Sequence, residues 1–325
     1  MSINAAHTCT QEADFEYQIT YPIAKFWNNR EQGFALGKDN KKIHWISLTS
    51  PLHDKAILMV NGRTESVWRY QELFFDLFRQ GFDIYSFDHR GQGVSERLLD
   101  DPHMGHVESF DDYIQDMDTI INQFDFNRYS RRFILAHSMG GAVSTRYIQT
   151  HSSHPFHAIA VCAPMYDIKM PAPLRAIAKP LCSTLVQWRN QPHYAVGQSG
   201  YQRTPFEDNS LSHCKARFEW SADLFDSMDE IQMGGPTSRW VYEAIKGAEQ
   251  CVRHAKEINV PLLLIQPSQD TVVDNRAQNQ FIARLSKYRQ DAVLLPIANA
   301  KHEILVERDQ QRNQALDAIL GFFEQ

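Results

Sequence analysis

The sequence is short of paired cysteines, of long apolar runs and of positive charge, and each shortage closes off a class of protein. Its five cysteines, Cys9, Cys162, Cys182, Cys214 and Cys251, are odd in number and scattered, with no C-x-x-C pair. That argues against a disulfide scaffold or a thiolate metal site and suits free thiols in a reducing compartment. No stretch approaches the roughly 20 apolar residues that span a bilayer. The opening residues MSINAAHTCTQEADFEYQ contain neither the basic nor the apolar block of a secretory leader, so the protein is expected on the cytoplasmic side. A net charge of −6 gives no positive field to condense on nucleic acid, and no nucleic-acid partner is expected. Internal repeats and low-complexity segments are also missing.

What is present is ordinary globular composition, 43% hydrophobic and 22% charged over 325 residues, enough for one sizeable core with an insertion. Apolar, β-rich runs (KAILMVNG, FDIYSFD, RRFILAH, HAIAVCAP, PLLLIQP, DAVLLPI) alternate with stretches of helical period. That alternation predicts an α/β fold: a mostly parallel central sheet with helices on both faces. One predicted helix runs from about Ser66 to Gln80, with Trp68, Phe74, Phe75, Leu77 and Phe78 on its apolar face and Gly81 as its stop. Another is VESFDDYIQDMDTIINQF, and RNQALDAILGFF closes the chain. From about Tyr166 to Cys251 the alternation breaks into a stretch rich in Pro, Trp and polar residues. The expected organisation is a core over residues 1–165 and 253–325, with an inserted helical cap over 166–252.

The strongest chemical signal is FILAHSMGGAVSTRYI, a strand, the turn Ala136-His137-Ser138-Met139-Gly140-Gly141, and a helix. A nucleophile on so tight a turn needs strained backbone angles, and small residues two positions either side let the turn close. Ala136 stands where such turns usually have Gly. The turn also puts Ser138 at the start of a helix, where free N–H groups favour developing negative charge.

A serine nucleophile needs a base, and the base needs an orienting acid. PLLLIQPSQDTVVD presents Asp270 after one late strand and LLPIANAKHEIL presents His302 after the next. Ser, acid, His, each on a loop after a strand, is the chain order of the α/β-hydrolases. Asp274 competes with Asp270; Asp270 sits nearer the strand end, and Asp274 is read as the cap of the helix NRAQNQFIARL. Among 14 histidines, position singles out His302. His137 is expected to pack under the turn and His89 to lie near the site. His151, His154 and His157 lack an acidic or Cys complement and are read as no metal site. For the oxyanion, the expected donors are the N–H of Met139 and, after the strand ending in NGRTES, the N–H of Arg63, where Gly62 permits close approach.

In that order NGRTES, FDHRGQGVS, AHSMGG, SQDTVVD and AKHEI resemble the monoacylglycerol lipase and lysophospholipase branch of the α/β-hydrolases. Within it the chain is most similar to the bacterial inner-membrane lysophospholipases, which have Asn-Gly-Arg where lipases usually have His-Gly. Gly234-Gly235-Pro236-Thr237 followed by Trp240 resembles their cap. The resemblance implies the α/β-hydrolase fold, a Ser138–Asp270–His302 triad, and hydrolysis of a fatty acyl ester on a single-chain lipid. It implies no metal or organic cofactor, and acyl transfer to another alcohol as a side activity.

Two further expectations concern the substrate. Trp188, Trp220, Trp240, Phe218, Leu224 and Met228 are candidates for the wall of an acyl tunnel, or for the cap's own packing. Arg63 is a candidate to hold a lysophospholipid phosphate, unless it pairs with Glu65 or Asp88. An esterase or peptidase for small soluble substrates, a binding protein that kept the fold, and peripheral docking of the cap on a bilayer stay open at this stage.

Overall fold

The computed structural model describes residues 9–188 and 191–325. Eight strands form one sheet: β1 Glu31–Leu36, β2 Lys42–Leu48, β3 Lys55–Val60, β4 Phe82–Phe87, β5 Arg131–His137, β6 Ala158–Cys162, β7 Leu262–Pro267 and β8 Ala292–Ile297. Their order is β1-β2-β4-β3-β5-β6-β7-β8; β2 runs antiparallel to β1 and β4, and every other pairing is parallel. The helices are α1 Phe15–Thr20, α2 Pro22–Trp27, α3 Gln71–Arg79, α4 Phe110–Gln123, α5 Met139–Thr150, α6 Ala172–Trp188, α7 Lys215–Ser227, α8 Ser238–Arg253, α9 Asn275–Leu285 and α10 Asp309–Phe323.

The sheet is covered on both faces, which is why its central strands read as unbroken apolar runs rather than alternating ones. The period of two nonetheless sorts each strand between two cores. Leu58 and Val60 of β3, Ile134 of β5, Val161 of β6 and Leu264 of β7 pack with α4, α5, α8 and α9. Ile57 and Met59, Leu135, Ala160 and Ile265, their neighbours along the same strands, pack with α2, α3 and α10. The predicted helix from Ser66 begins as a 3₁₀ turn, Val67–Tyr70, whose N-cap Ser66 accepts from the Trp68 amide, and only then becomes α3.

The β1–β2 hairpin and the two short helices before it were not expected from the sequence. Edge strand β1 buries only Ala35 among its six residues, so it has no apolar alternation to read. The stretch between β6 and β7 contains α6, α7 and α8. Two of these are tied to the core. Helix α8 packs on α4, α5 and α9, with Gly247 so close to Phe110 that a Cβ would come within 2.4 Å of its ring. Helix α7 is anchored by Arg217, whose buried guanidinium bonds Glu72 of α3 at 2.8 Å and Asp309 of α10 at 2.9 Å.

Parallel pairing sets Val60 beside Ala136 and Ala136 beside Val161. The loops after β3 and β5 therefore leave the sheet at the same edge, where the loops after β7 and β8 also emerge. In open α/β sheets this carboxyl edge is where ligands bind.

Candidate active site

Ser138 follows β5 directly, with φ 50° and ψ −116°. This conformation is costly for any residue with a Cβ, and it persists because the surroundings fix it. The Ser138 amide donates to Cys162 O at 3.0 Å, and its carbonyl accepts from the Met165 amide at 2.9 Å. Gly140 is required: a Cβ there would sit 2.2 Å from Val60 O and 2.3 Å from Asn61 O, both backbone atoms. Ala136, which stands where such turns usually have Gly, is wholly buried in the sheet.

The three residues selected from the sequence meet. Ser138 Oγ lies 2.9 Å from His302 Nε2, and His302 Nδ1 lies 2.7 Å from Asp270 Oδ2. All three are buried. Since a carboxylate only accepts, Nδ1 bears the proton and Nε2 is free to accept from the hydroxyl. The other oxygen of Asp270 accepts from the Val272 and Val273 amides at 2.8 and 3.1 Å. Burial alone would raise the Asp270 pKa, but the hydrogen bond and charge of His302 together with these amides hold it below its ordinary value. Asp274 does something else. It caps α9 by accepting from the Arg276 amide at 2.9 Å, and its carboxylate takes Arg175 and Arg276.

The loop after β3 is gripped from several sides. His89 Nε2 donates to Asn61 O at 2.9 Å and Gln92 Nε2 to Gly62 O at 2.7 Å, while the Gly62 amide donates to the Glu65 carboxylate. Burial lowers the His89 pKa, keeping the ring a neutral donor. Thr64 adopts φ 61°, a left-handed conformation that disfavours a β-branched residue. Among the described residues no acceptor faces the Arg63 N–H, and the Met139 N–H belongs to the first helical turn, where no intrahelical acceptor exists.

Beneath the turn lies a network that sequence reasoning missed. His137 is packed under Ser138 as expected, but it also bonds the Glu65 carboxylate and the His302 carbonyl. Glu65 additionally accepts from Tyr70 OH at 2.7 Å, and Arg69 makes a two-pronged pair with Glu303 at 2.8 and 2.6 Å. The sequence suggested Glu65 as a partner for Arg63; its partner in the fold, His137, is 72 positions away. Among the described residues no His, Cys, Asp and Glu cluster could hold a metal, His151, His154 and His157 included.

Ser138 and His302 open into a cavity of about 410 Å³ whose wall includes Met165, Ile168, Leu185, Trp240 and Val273. Of the six tunnel candidates only Trp240 lines it. Phe218 faces a different cavity, Trp220 packs edge-on against Phe15, and Trp188 is exposed. The Arg63 guanidinium pairs with neither Glu65 nor Asp88. It donates to Gly234 O at 2.6 Å and lies over the Trp240 ring, 4.9 Å from its centre.

Comparison with known proteins agrees with this geometry. Residues 51–309 match the hydrolase family described as serine aminopeptidase, S33. Lysophospholipase L2 of Escherichia coli K12 is 36% identical over 318 residues, covering 97% of this chain and 93% of that protein. A probable lysophospholipase L2 of Haemophilus influenzae is 33% identical over 304 residues, covering 92% and 94%. Among solved structures, a soluble variant of monoglyceride lipase from Saccharomyces cerevisiae, in complex with a substrate analog, superposes with a TM-score of 0.70 at 15% identity, over 91% of this chain and 96% of that one. The chain thus belongs to the serine aminopeptidase S33 family of α/β-hydrolases.

Proposed function

We propose that this carboxylic ester hydrolase cleaves the fatty acyl ester of lysophospholipids or monoacylglycerols through an acyl-enzyme on Ser138. One observation carries the reading: an unbroken hydrogen-bond chain from Asp270 through His302 to Ser138 opens into an apolar cavity. In this mechanism His302 Nε2 takes the hydroxyl proton as Ser138 Oγ attacks the ester carbonyl. The carbonyl electron pair moves onto oxygen, and the N–H groups of Met139 and Arg63 hold the resulting oxyanion. Collapse expels the glycerol alkoxide, which takes the proton from His302. Water, deprotonated by the same ring, then releases the fatty acid. Asp270 keeps the imidazole in the required tautomer and balances its transient charge.

The cavity supports an acyl ester over a peptide amino terminus. An aminopeptidase needs a carboxylate to hold the substrate ammonium, and the acids on this wall, Glu65 and Glu303, are already held by His137 and Arg69. Lysolipid substrates are also what the names of the two lysophospholipase relatives describe. Fatty-acid release from lysophosphatidylethanolamine and monoacylglycerol tests the assignment; hydrolysis of small soluble esters alone would contradict it.

In this reading residues 166–252 form the cap, rooted in the core by α8. Its apolar side chains make a peripheral contact at the inner face of the membrane. Ile177, Trp188 and Val196 are exposed, and Leu181 and Val196 border both surface and cavity. No helix among the described residues is long and apolar enough to cross a bilayer. Co-flotation with phospholipid vesicles should be lost when Ile177, Trp188 and Val196 are changed to Ser; undiminished flotation would refute the contact.

A further inference from the structure

The cavity at Ser138 has a neighbour. A second cavity of about 580 Å³ lies under the stretch 197–211 and against α7, and the two share Arg63, Thr64, Gln198, Leu211 and Glu303. Where the first is walled mainly by aliphatic side chains and Trp240, the lining of the second adds the polar residues Ser199, Gln202, Thr204 and Ser210 to Phe218, Phe225 and Met233. Its α7 wall is fixed to the core through Arg217.

Arg63 stands in the partition. Beyond its bond to Gly234 O, its Nε is buried with no acceptor, and no carboxylate among the described residues pairs with it. The other charges of the second cavity are engaged or open to water. Arg69 and Glu303 neutralise each other, Arg203 is held by Glu219, Asp223 and Asp226, and Asp208 is exposed. A partly buried guanidinium whose Nε has no acceptor is unfavourable without an anion, and the cost is recovered when a ligand supplies one. Burial lowers the Arg63 pKa to about 10, which still leaves a cation at neutral pH.

We infer that the second cavity is the head-group chamber, and that Arg63 selects substrates with an anionic phosphodiester over neutral glycerides. This inference rests on the lysolipid-hydrolase reading above. The acyl chain and head group lie on opposite sides of the Arg63–Gln198 partition, with the ester between them at Ser138. A phosphodiester offers two oxygens to the guanidinium fork; glycerol hydroxyls bring no charge to it.

The test is the ratio of kcat/KM on lysophosphatidylethanolamine to kcat/KM on the monoacylglycerol of the same chain. Arg63→Met should lower that ratio by about 100-fold, the range of lost charged hydrogen bonds, and Arg63→Lys by less. Ala222→Trp, which fills the second cavity from α7 and leaves Arg63 in place, should lower it too. An unchanged ratio in all three variants overturns the head-group chamber while leaving lipid hydrolysis standing. Equal losses on both lipids overturn it as well, by reducing Arg63 to a support of the β3 loop. Competition by submillimolar inorganic phosphate would reassign Arg63 to a free anion. Should wild type hydrolyse 4-nitrophenyl butyrate but neither lipid, the lysolipid reading itself fails and this inference with it.

Discussion

His137 Nδ1 lies 2.6 Å from Oε1 of Glu65, while its Nε2 lies 3.2 Å from the carbonyl of His302. Carboxylate and carbonyl both only accept, so both ring nitrogens donate and His137 is a buried imidazolium. Burial opposes that charge, but Glu65 outweighs it and raises the His137 pKa; the same pairing lowers that of Glu65 against its own burial. One ion pair thus ties the loop after β3 to the end of β5, and the other ring N–H reaches on to the loop after β8, directly beneath Ser138.

The pair makes stability depend on pH in a defined sense. A raised His137 contributes fully below its unfolded value of 6.5 and loses that contribution as pH rises through the folded value. A lowered Glu65 contributes above 4.5 and loses it as pH falls toward the folded value. The stability gap between wild type and His137→Gln, from urea unfolding, should therefore be largest between pH 4.5 and 6.5 and shrink as pH rises above that window. A gap independent of pH would contradict a charged His137.

The two acids after β7 are separable. Asp270→Asn should lower kcat by about 10⁴-fold by supporting the wrong His302 tautomer. Asp274→Asn, whose carboxylate meets only the Arg276 amide and guanidinium on α9 and the Arg175 guanidinium on α6, should cost about 1 kcal/mol of stability or less with kcat little changed. Steady-state kinetics on a soluble ester and unfolding midpoints distinguish them, and the reverse pattern would move the triad acid to Asp274.

Gly140→Ala sets a methyl against two backbone carbonyls of the β3 end, Val60 O and Asn61 O. The loop bearing Arg63 must shift, and losing one oxyanion donor lowers kcat by about 10²–10³-fold. Gly321 in α10 has nothing within 4 Å of a would-be Cβ. Gly321→Ala should leave kinetics unchanged and add roughly 0.5–1 kcal/mol of stability. Equal kinetics for both variants would remove the Gly140 constraint from the account.

Much of this was legible in the sequence because the relevant signals are local. The runs KAILMVNG to DAVLLPI announced the parallel core, and the strand–Ser138–helix turn fixed which loops carry Asp270 and His302. Illegible features depend on contacts far apart in the chain. Glu65 was two residues from Arg63 and seemed available to it, but His137 claims it; Asp88 is taken by the Val67 and Val94 amides and His44. Helical spacing between β6 and β7 showed amphipathic segments without showing which face meets the cavity, so Trp188 and Trp220 looked as suitable as Trp240.

Fatty-acid release from lysophosphatidylcholine, lysophosphatidylethanolamine and monoacylglycerol by wild type and Ser138→Ala tests the central claim most directly. The account predicts that wild type releases fatty acid from these lipids and that Ser138→Ala, still folded, falls by several orders of magnitude in kcat. A Ser138→Ala protein that keeps its activity, or a wild type that releases none, would contradict it.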